Sequence, residues 1–256
     1  MKVAILAGGL GTRLAEETDV RPKAMVEIGH RPIVWHILKH YETHGFSDFY
    51  VALGYKGEMI KRYFLDYNSV AGSVAISLDD GAVTAIDPVT ERWTVNLIDT
   101  GIDTNTGGRL KRLARWVGDE TFLLTYGDGV SDVDLPAVLE FHRSHGKLAT
   151  LTAVHPPSRF GELELRDDDT VSFTEKPQMG EGWINGGFMV LEPGVLDLIA
   201  DDSTSLEADV LEQLGEEGQL VAYKHEGFWQ CMDTLRDLRY LRQAWDAGNP
   251  PWMTWR

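Results

Sequence analysis

The chain has 256 residues, 43% of them apolar and 25% charged, a formal net charge of −16 at pH 7, and one cysteine, Cys231. That length fits one large α/β domain with a substantial core, and the excess of acid disfavours a nucleic-acid polymer while leaving room for small phosphorylated ligands held by a local basic cluster. No apolar run approaches the roughly 18 residues of a membrane span, no signal peptide is expected behind Met1-Lys2, and a single thiol closes no internal disulfide, so a reducing cytoplasm is the expected compartment.

Val3-Ala4-Ile5-Leu6 has the length and β-branched content of a buried strand. It stops at Ala7-Gly8-Gly9-Leu10-Gly11-Thr12-Arg13. Glycines packed this closely let the backbone turn tightly and bring its N–H groups against a ligand. Successive N–H groups of this kind form an anion-binding concavity. Arg13 and Lys23 add two cations, so the stretch reads as a phosphate site. It matches neither of two familiar phosphate loops. Leu14 stands where a dinucleotide fingerprint needs its third glycine, and Thr12-Arg13 stands where a P-loop needs Lys-Ser/Thr.

Pro32 stands at a first helical position, Ile33, Val34, Ile37, Leu38 and Tyr41 supply an apolar face, and Gly45 ends the helix. His36, His40 and His44 share another face of it; without an accompanying carboxylate motif they read as solvated or subunit-facing. Phe49–Leu53 is a second strand and Glu58–Leu65 a second helix. This alternation predicts an α/β fold with a doubly wound, mostly parallel sheet. Residues 73–100 change character: short alternating segments split by Asp79-Asp80-Gly81 and Asp87-Pro88 read as an inserted group of antiparallel strands, a lid or an oligomer contact.

The polar segment from Asp99 to Arg109 opens a helix through Leu110, Leu113 and Trp116. Its glycines and hydroxyls offer N–H groups to an anion or a base edge, or simply cap the helix. Thr121–Tyr126 is an apolar strand leading to Gly127-Asp128. Ligands of open α/β sheets sit beyond the carboxyl ends of strands, which places Asp128 well; capping the next helix is its alternative role, for which Asp132 and Asp134 are also available. That helix, Pro136–His145, leads to strand Leu148–Val154. Two short strands, Leu163–Leu165 and Val171–Phe173, precede Glu175-Lys176-Pro177. Trp183–Phe188 leads to a further strand. Lys176 and Asn185 are a cation and an amide suited to a sugar phosphate, while Glu207 sits among the acidic residues of a helix start. Asp233 precedes a long amphipathic helix (Leu235, Leu238, Leu241, Trp245) and on spacing is a candidate N-cap. The tail 250–256 carries two tryptophans that should pack on the body or on a neighbour.

The patterns G-G-x-G-T-R-L and R-P-K, followed by D-T-G-x-x-T-x-T-G-G-R-L, Y-G-D, E-K-P and W-x-x-M-D-T, resemble the sugar-1-phosphate nucleotidylyltransferases essentially over the full length. The resemblance implies their Rossmann-like fold as a single unit over 1–256, with sugar binding and the C-terminal part in about 155–256. The T-G-G-R segment, where uridylyl- and thymidylyl-transferring relatives carry glutamine-proline, implies cytosine. CTP and glucose 1-phosphate are therefore the implied substrates, Mg²⁺ the cofactor, CDP-glucose for deoxysugar and polysaccharide synthesis the product, and a homo-oligomer the assembly. Carried onto this sequence, the resemblance assigns Leu6, Ala7, Gly8, Gly9, Gly11, Thr12, Arg13, Lys23, Thr104, Gly108, Arg109 and Asp128 to the nucleotide, with Arg13 and Lys23 catalytic. It assigns Glu175, Lys176, Asn185 and Glu207 to the sugar phosphate, and Asp128 and Asp233 to the metal. One departure is Lys23-Ala24-Met25, where many relatives have K-P-M. A uridylyl- or thymidylyltransferase, or a non-catalytic regulatory module with the same pocket, are the alternatives.

Overall fold

Apolar runs alternating with amphipathic helices generate one large sheet covered on both faces. The computed structural model describes residues 1–70, 72–87, 90–156, 162–165, 171–174 and 182–255. The frame runs β1 (Lys2–Leu6), α1 (Ile33–Thr43), β2 (Asp48–Leu53), α2 (Gly57–Leu65), β3 (Thr94–Asp99), α3 (Thr106–Val117) and β4 (Phe122–Tyr126). It continues through α4 (Leu135–His145), β5 (Ala149–Val154), β6 (Ile184–Asn185), β7 (Met189–Leu191), β8 (Leu220–His225) and α5 (Leu235–Asp246). The sheet order is β3-β2-β1-β4-β7-β5-β8, with β6 beside β7 on the same flank of β5. Strands β1, β2, β3 and β4 are mutually parallel. β7 is antiparallel to both β4 and β5, and β8 is parallel to β5.

Side chains alternate across a strand, and β1 shows the consequence directly. Val3 and Ile5 join Val51, Leu53, Ile33 and Ile37 on one face, while Ala4 and Leu6 join Leu110, Leu113 and Leu124 on the other. The helices start where the chain supplies caps: Asn105 for α3, Asp134 for α4, and a Thr234–Asp237 capping box for α5.

Three expectations are corrected. Residues 94–99 are not part of an inserted antiparallel group; they form β3, the parallel edge strand beside β2, and only Val74–Ile76 with Val83–Ala85 make a separate hairpin. The alternation of residues 93–98 reflects an edge strand half-covered by neighbours, which looks the same locally as a hairpin arm. Pro32 caps α1 from outside rather than beginning it. His36 and His40 are not solvated: they are 0% and 2% exposed. The tail explains them, because Trp252 is itself fully buried, Trp255 lies 5.7 Å from the Trp35 ring, and Trp252 Nε1 donates to His36 Nδ1 at 3.4 Å. The tail thus packs on the body.

Candidate active site

The connection after β1 and the end of β4 lie side by side, because β1 and β4 are neighbours with Leu6 opposite Tyr126. Crevices form where neighbouring connections of a parallel sheet diverge to opposite faces. Here the glycine loop, Gly127 and Asp128 meet in a cleft of about 360 Å³. Leu6, Ala7, Gly8, Gly9, Gly11, Thr12, Arg13, Lys23, Thr104, Arg109, Asp128 and Asp233 all line it.

Asp128 and Asp233, far apart in sequence, are brought together by backbone pairing. The segment Gly129–Ser131 runs antiparallel to Trp229–Cys231, and Met232 N donates to the Asp128 carbonyl at 2.9 Å. Neither aspartate caps a helix, since Asp134 and Thr234 do so. Both carboxylates converge on one ammonium. Lys23 Nζ donates to Asp128 Oδ2 at 2.5 Å and to Asp233 Oδ1, while Arg13 Nη1 donates to Asp233 Oδ2 at 2.8 Å. Burial works against the Lys23 charge, but Asp128 and Asp233 outweigh it and hold its pKa above the ordinary lysine value. Lys23 reaches this point from the short turn Lys23–Met25, which follows extended Pro22 and is anchored by buried Ala24. Arg13 lines the same cleft with its side chain 75% exposed while paired to Asp233.

Arg109 does something the sequence does not announce. Its guanidinium turns back beneath the glycine loop. There Nη1 donates to the Leu53 carbonyl at 3.2 Å, Thr100 Oγ1 at 2.8 Å and the Gly101 carbonyl at 2.6 Å, and Nη2 to the Ile102 carbonyl at 3.1 Å. A Cβ at Gly8 would stand 2.3 Å from Arg109 Nη1, and one at Gly54 2.5 Å from it. Those two glycines leave room for a buried cation whose hydrogen bonds tie Leu53 to the turn at 100–102. Gly108 stays outside the cleft and packs against Asp202, whose Cα a Cβ would meet at 2.5 Å.

Asn185 and Glu207 are not among the residues that line the cleft; both reach the hydroxyl of Tyr126, which does line it. Tyr126 Oη donates to Glu207 Oε1 at 2.6 Å. Glu175 and Lys176 lie outside the described residues. Asn105, Thr106, Tyr126 and Gly127 also line the cleft. Tyr126 directly precedes the Gly-Asp pair, and that position was the one signal that pointed to it. Cys231, near both aspartates, is an unsuitable nucleophile: burial, then the Asp233 and Asp128 charges, push its thiol up to about 12.

Among the described residues no three His, Cys, Asp or Glu side chains are placed to hold a metal. The Asp128–Asp233 pair fits Mg²⁺ nonetheless. That ion is commonly held by one or two carboxylates and completed by waters and substrate phosphate oxygens.

The family model described as nucleotidyl transferase matches residues 2–246. The protein belongs to the nucleotidyl transferase family. Within that family the chain is 52% identical to the glucose-1-phosphate cytidylyltransferase of Salmonella typhimurium over 256 residues, covering all of both chains. It is 41% identical, again over all of both, to the probable glucose-1-phosphate cytidylyltransferase of Bacillus subtilis. The fold matches the crystal structure of HddC from Yersinia pseudotuberculosis with a TM-score of 0.70 at 24% identity, covering 95% of this chain and 99% of that one. This transferase places its glycine loop beside a carboxylate pair bridged by lysine.

Proposed function

We propose that the protein transfers CMP from CTP to glucose 1-phosphate, releasing pyrophosphate and forming CDP-glucose, with Mg²⁺ bound at Asp128 and Asp233. The observation that carries this reading is the convergence of Lys23, Asp128 and Asp233 at the mouth of the glycine loop, in a chain so similar to glucose-1-phosphate cytidylyltransferases. The second pKa of a phosphate monoester is about 6, so the acceptor is largely dianionic at neutral pH and requires no general base. Catalysis then reduces to bringing two polyanions into line and screening charge at the α-phosphorus. Lys23 holds the α-phosphate and orients the nucleophile. Arg13 and the N–H groups of Gly8, Gly9 and Gly11 bind the departing pyrophosphate. Bound Mg²⁺ supplies Lewis-acid neutralisation of the phosphate oxygens.

Thr104 and Arg109 face the nucleotide in this reading, and Glu175, Lys176 and Asn185 hold the hexose phosphate by their order along the chain. We also propose a cytoplasmic homo-oligomer. In support, no described helix is long and apolar enough to cross a membrane, and the hairpin 74–85 with its flanks exposes Ile76, Leu78, Val83 and Ile86, Leu78 to 95%.

Pyrophosphate release with Mg²⁺ and glucose 1-phosphate, measured separately with CTP, UTP, dTTP, ATP and GTP, tests the reading. Release with CTP, stopped by EDTA, is expected. Release with UTP or dTTP instead would move the nucleotide assignment, and silence with all five despite CTP binding would favour a regulatory module.

A further inference from the structure

The family resemblance assigns Glu207 to the sugar, yet it is not among the cleft-lining residues and bonds instead to Tyr126, which is. Its Oε1 accepts the Tyr126 Oη proton at 2.6 Å. Its Oε2 accepts the Thr106 Oγ1 proton at 2.6 Å and that of Ser205 at 3.1 Å. The residues it gathers come from the end of β4, the first turn of α3 and Ser205, the cap of the short helix Leu206–Leu211 that carries Glu207. A hydroxyl has one proton and two acceptor lone pairs. The Tyr126 proton is committed to Glu207, so toward any further partner Oη can only accept. Thr106 has committed its proton likewise, and its oxygen already accepts from Leu206 N at 2.9 Å.

The side of β4 on which this acceptor lies decides which ligand meets it. The triphosphate loop follows β1 on one flank of β4, and β7 lies on the other. The Tyr126 ring rests against Gly187 on the β7 flank, where a Cβ would stand 3.1 Å from Cδ2, and Asn185 Nδ2 points at Oη from 3.5 Å. Tyr126 is also two residues from Asp128, where the incoming phosphate must approach the α-phosphorus. In the transferase reading this flank falls to the attacking sugar phosphate, since the glycine loop for the leaving pyrophosphate lies on the other.

We propose that Glu207 is a positioning residue that fixes Tyr126 Oη as an acceptor for one hydroxyl of the hexose 1-phosphate. This rests on the transferase reading above. Deletion of such a hydrogen bond changes binding by about threefold to tenfold.

The test compares wild type, Tyr126→Phe, Glu207→Gln and the double variant, varying CTP and glucose 1-phosphate in turn, and adds the series of monodeoxyfluoro-glucose 1-phosphates, whose C–F group cannot donate. Tyr126→Phe should raise KM for glucose 1-phosphate by about threefold to tenfold, with KM for CTP within about twofold. One fluoro analogue should lose the same factor on wild type and nothing further on Tyr126→Phe. Glu207→Gln should raise the same KM in wild type and add nothing in the Tyr126→Phe background. A rise in KM for CTP instead, or multiplying effects of the two substitutions, overturns the proposal. If Glu207→Gln melts below the assay temperature, the fluoro series on Tyr126→Phe decides: loss from every analogue equally in both enzymes overturns it. Wild type is assayed first, and absence of turnover there overturns the transferase reading and this proposal with it.

Discussion

Two carboxylates facing one cleft repel each other, and Lys23 Nζ answers both. Replacing Lys23 or Asp128 with alanine should therefore cut kcat/KM by at least about 10²-fold, with the melting temperature changing by only a few degrees, read by pyrophosphate release and thermal melts side by side. Near-normal turnover of either variant would remove its assigned role. Gly8 makes a second prediction at this scale. The Arg109 guanidinium behind it is anchored by four acceptor contacts and cannot swing aside cheaply. Gly8→Ala should weaken CTP binding by about tenfold or more, since about 1.4 kcal/mol of loop displacement suffices for that factor; isothermal titration with CTP measures it. The glycines and cations of this loop were legible in the sequence because they are contiguous. Arg109's brace and the Glu207–Tyr126 bond were not, because polar partners distant along the chain leave no periodic trace.

α1 and the C-terminal tail form one packing unit. Apolar spacing locates α1 correctly, but the burial of His36 and His40 depends on Trp252 and Phe188 arriving from distant segments, which periodicity within the helix cannot report. Burial, the first cause for both, brings the His36 pKa down to about 4 and that of His40 to about 3. Both folded values lie below the unfolded value of about 6.5, so the unfolded chain takes up these protons first as pH falls. The stability these neutral rings contribute is fully present above about pH 6.5 and is lost as pH falls toward 4, by up to about 1.4 kcal/mol per pH unit for each histidine. Urea midpoints between pH 7.5 and 4.5 should decline accordingly, and His36→Gln should flatten the decline. An unchanged slope in that variant would contradict the assignment. Trp252→Ala should cost about 3–5 kcal/mol, as expected for truncating a fully buried aromatic side chain; chemical denaturation measures it.

At the scale of the whole molecule, a net charge of −16 coexists with a cleft lined by Arg13, Lys23 and Arg109. The doubly wound frame was readable from alternating strands and helices, and its neighbour order is what sets the glycine loop beside Asp128. The reach of β3 was not readable, because an edge strand and a hairpin arm share one alternation. The exposed hairpin predicts self-association: Leu78→Asp should lower the oligomer mass in light scattering while the fold, by circular dichroism, is retained. In the proposed reaction the sugar phosphate displaces pyrophosphate directly at the α-phosphorus, without a protein nucleophile. The stereochemical course of transfer from α-thio-substituted CTP of one configuration to glucose 1-phosphate tests it most directly. A single in-line attack predicts inversion at phosphorus. Retention would require two displacements and a covalent intermediate on the protein, and would contradict the roles assigned to Lys23, Asp128 and Asp233.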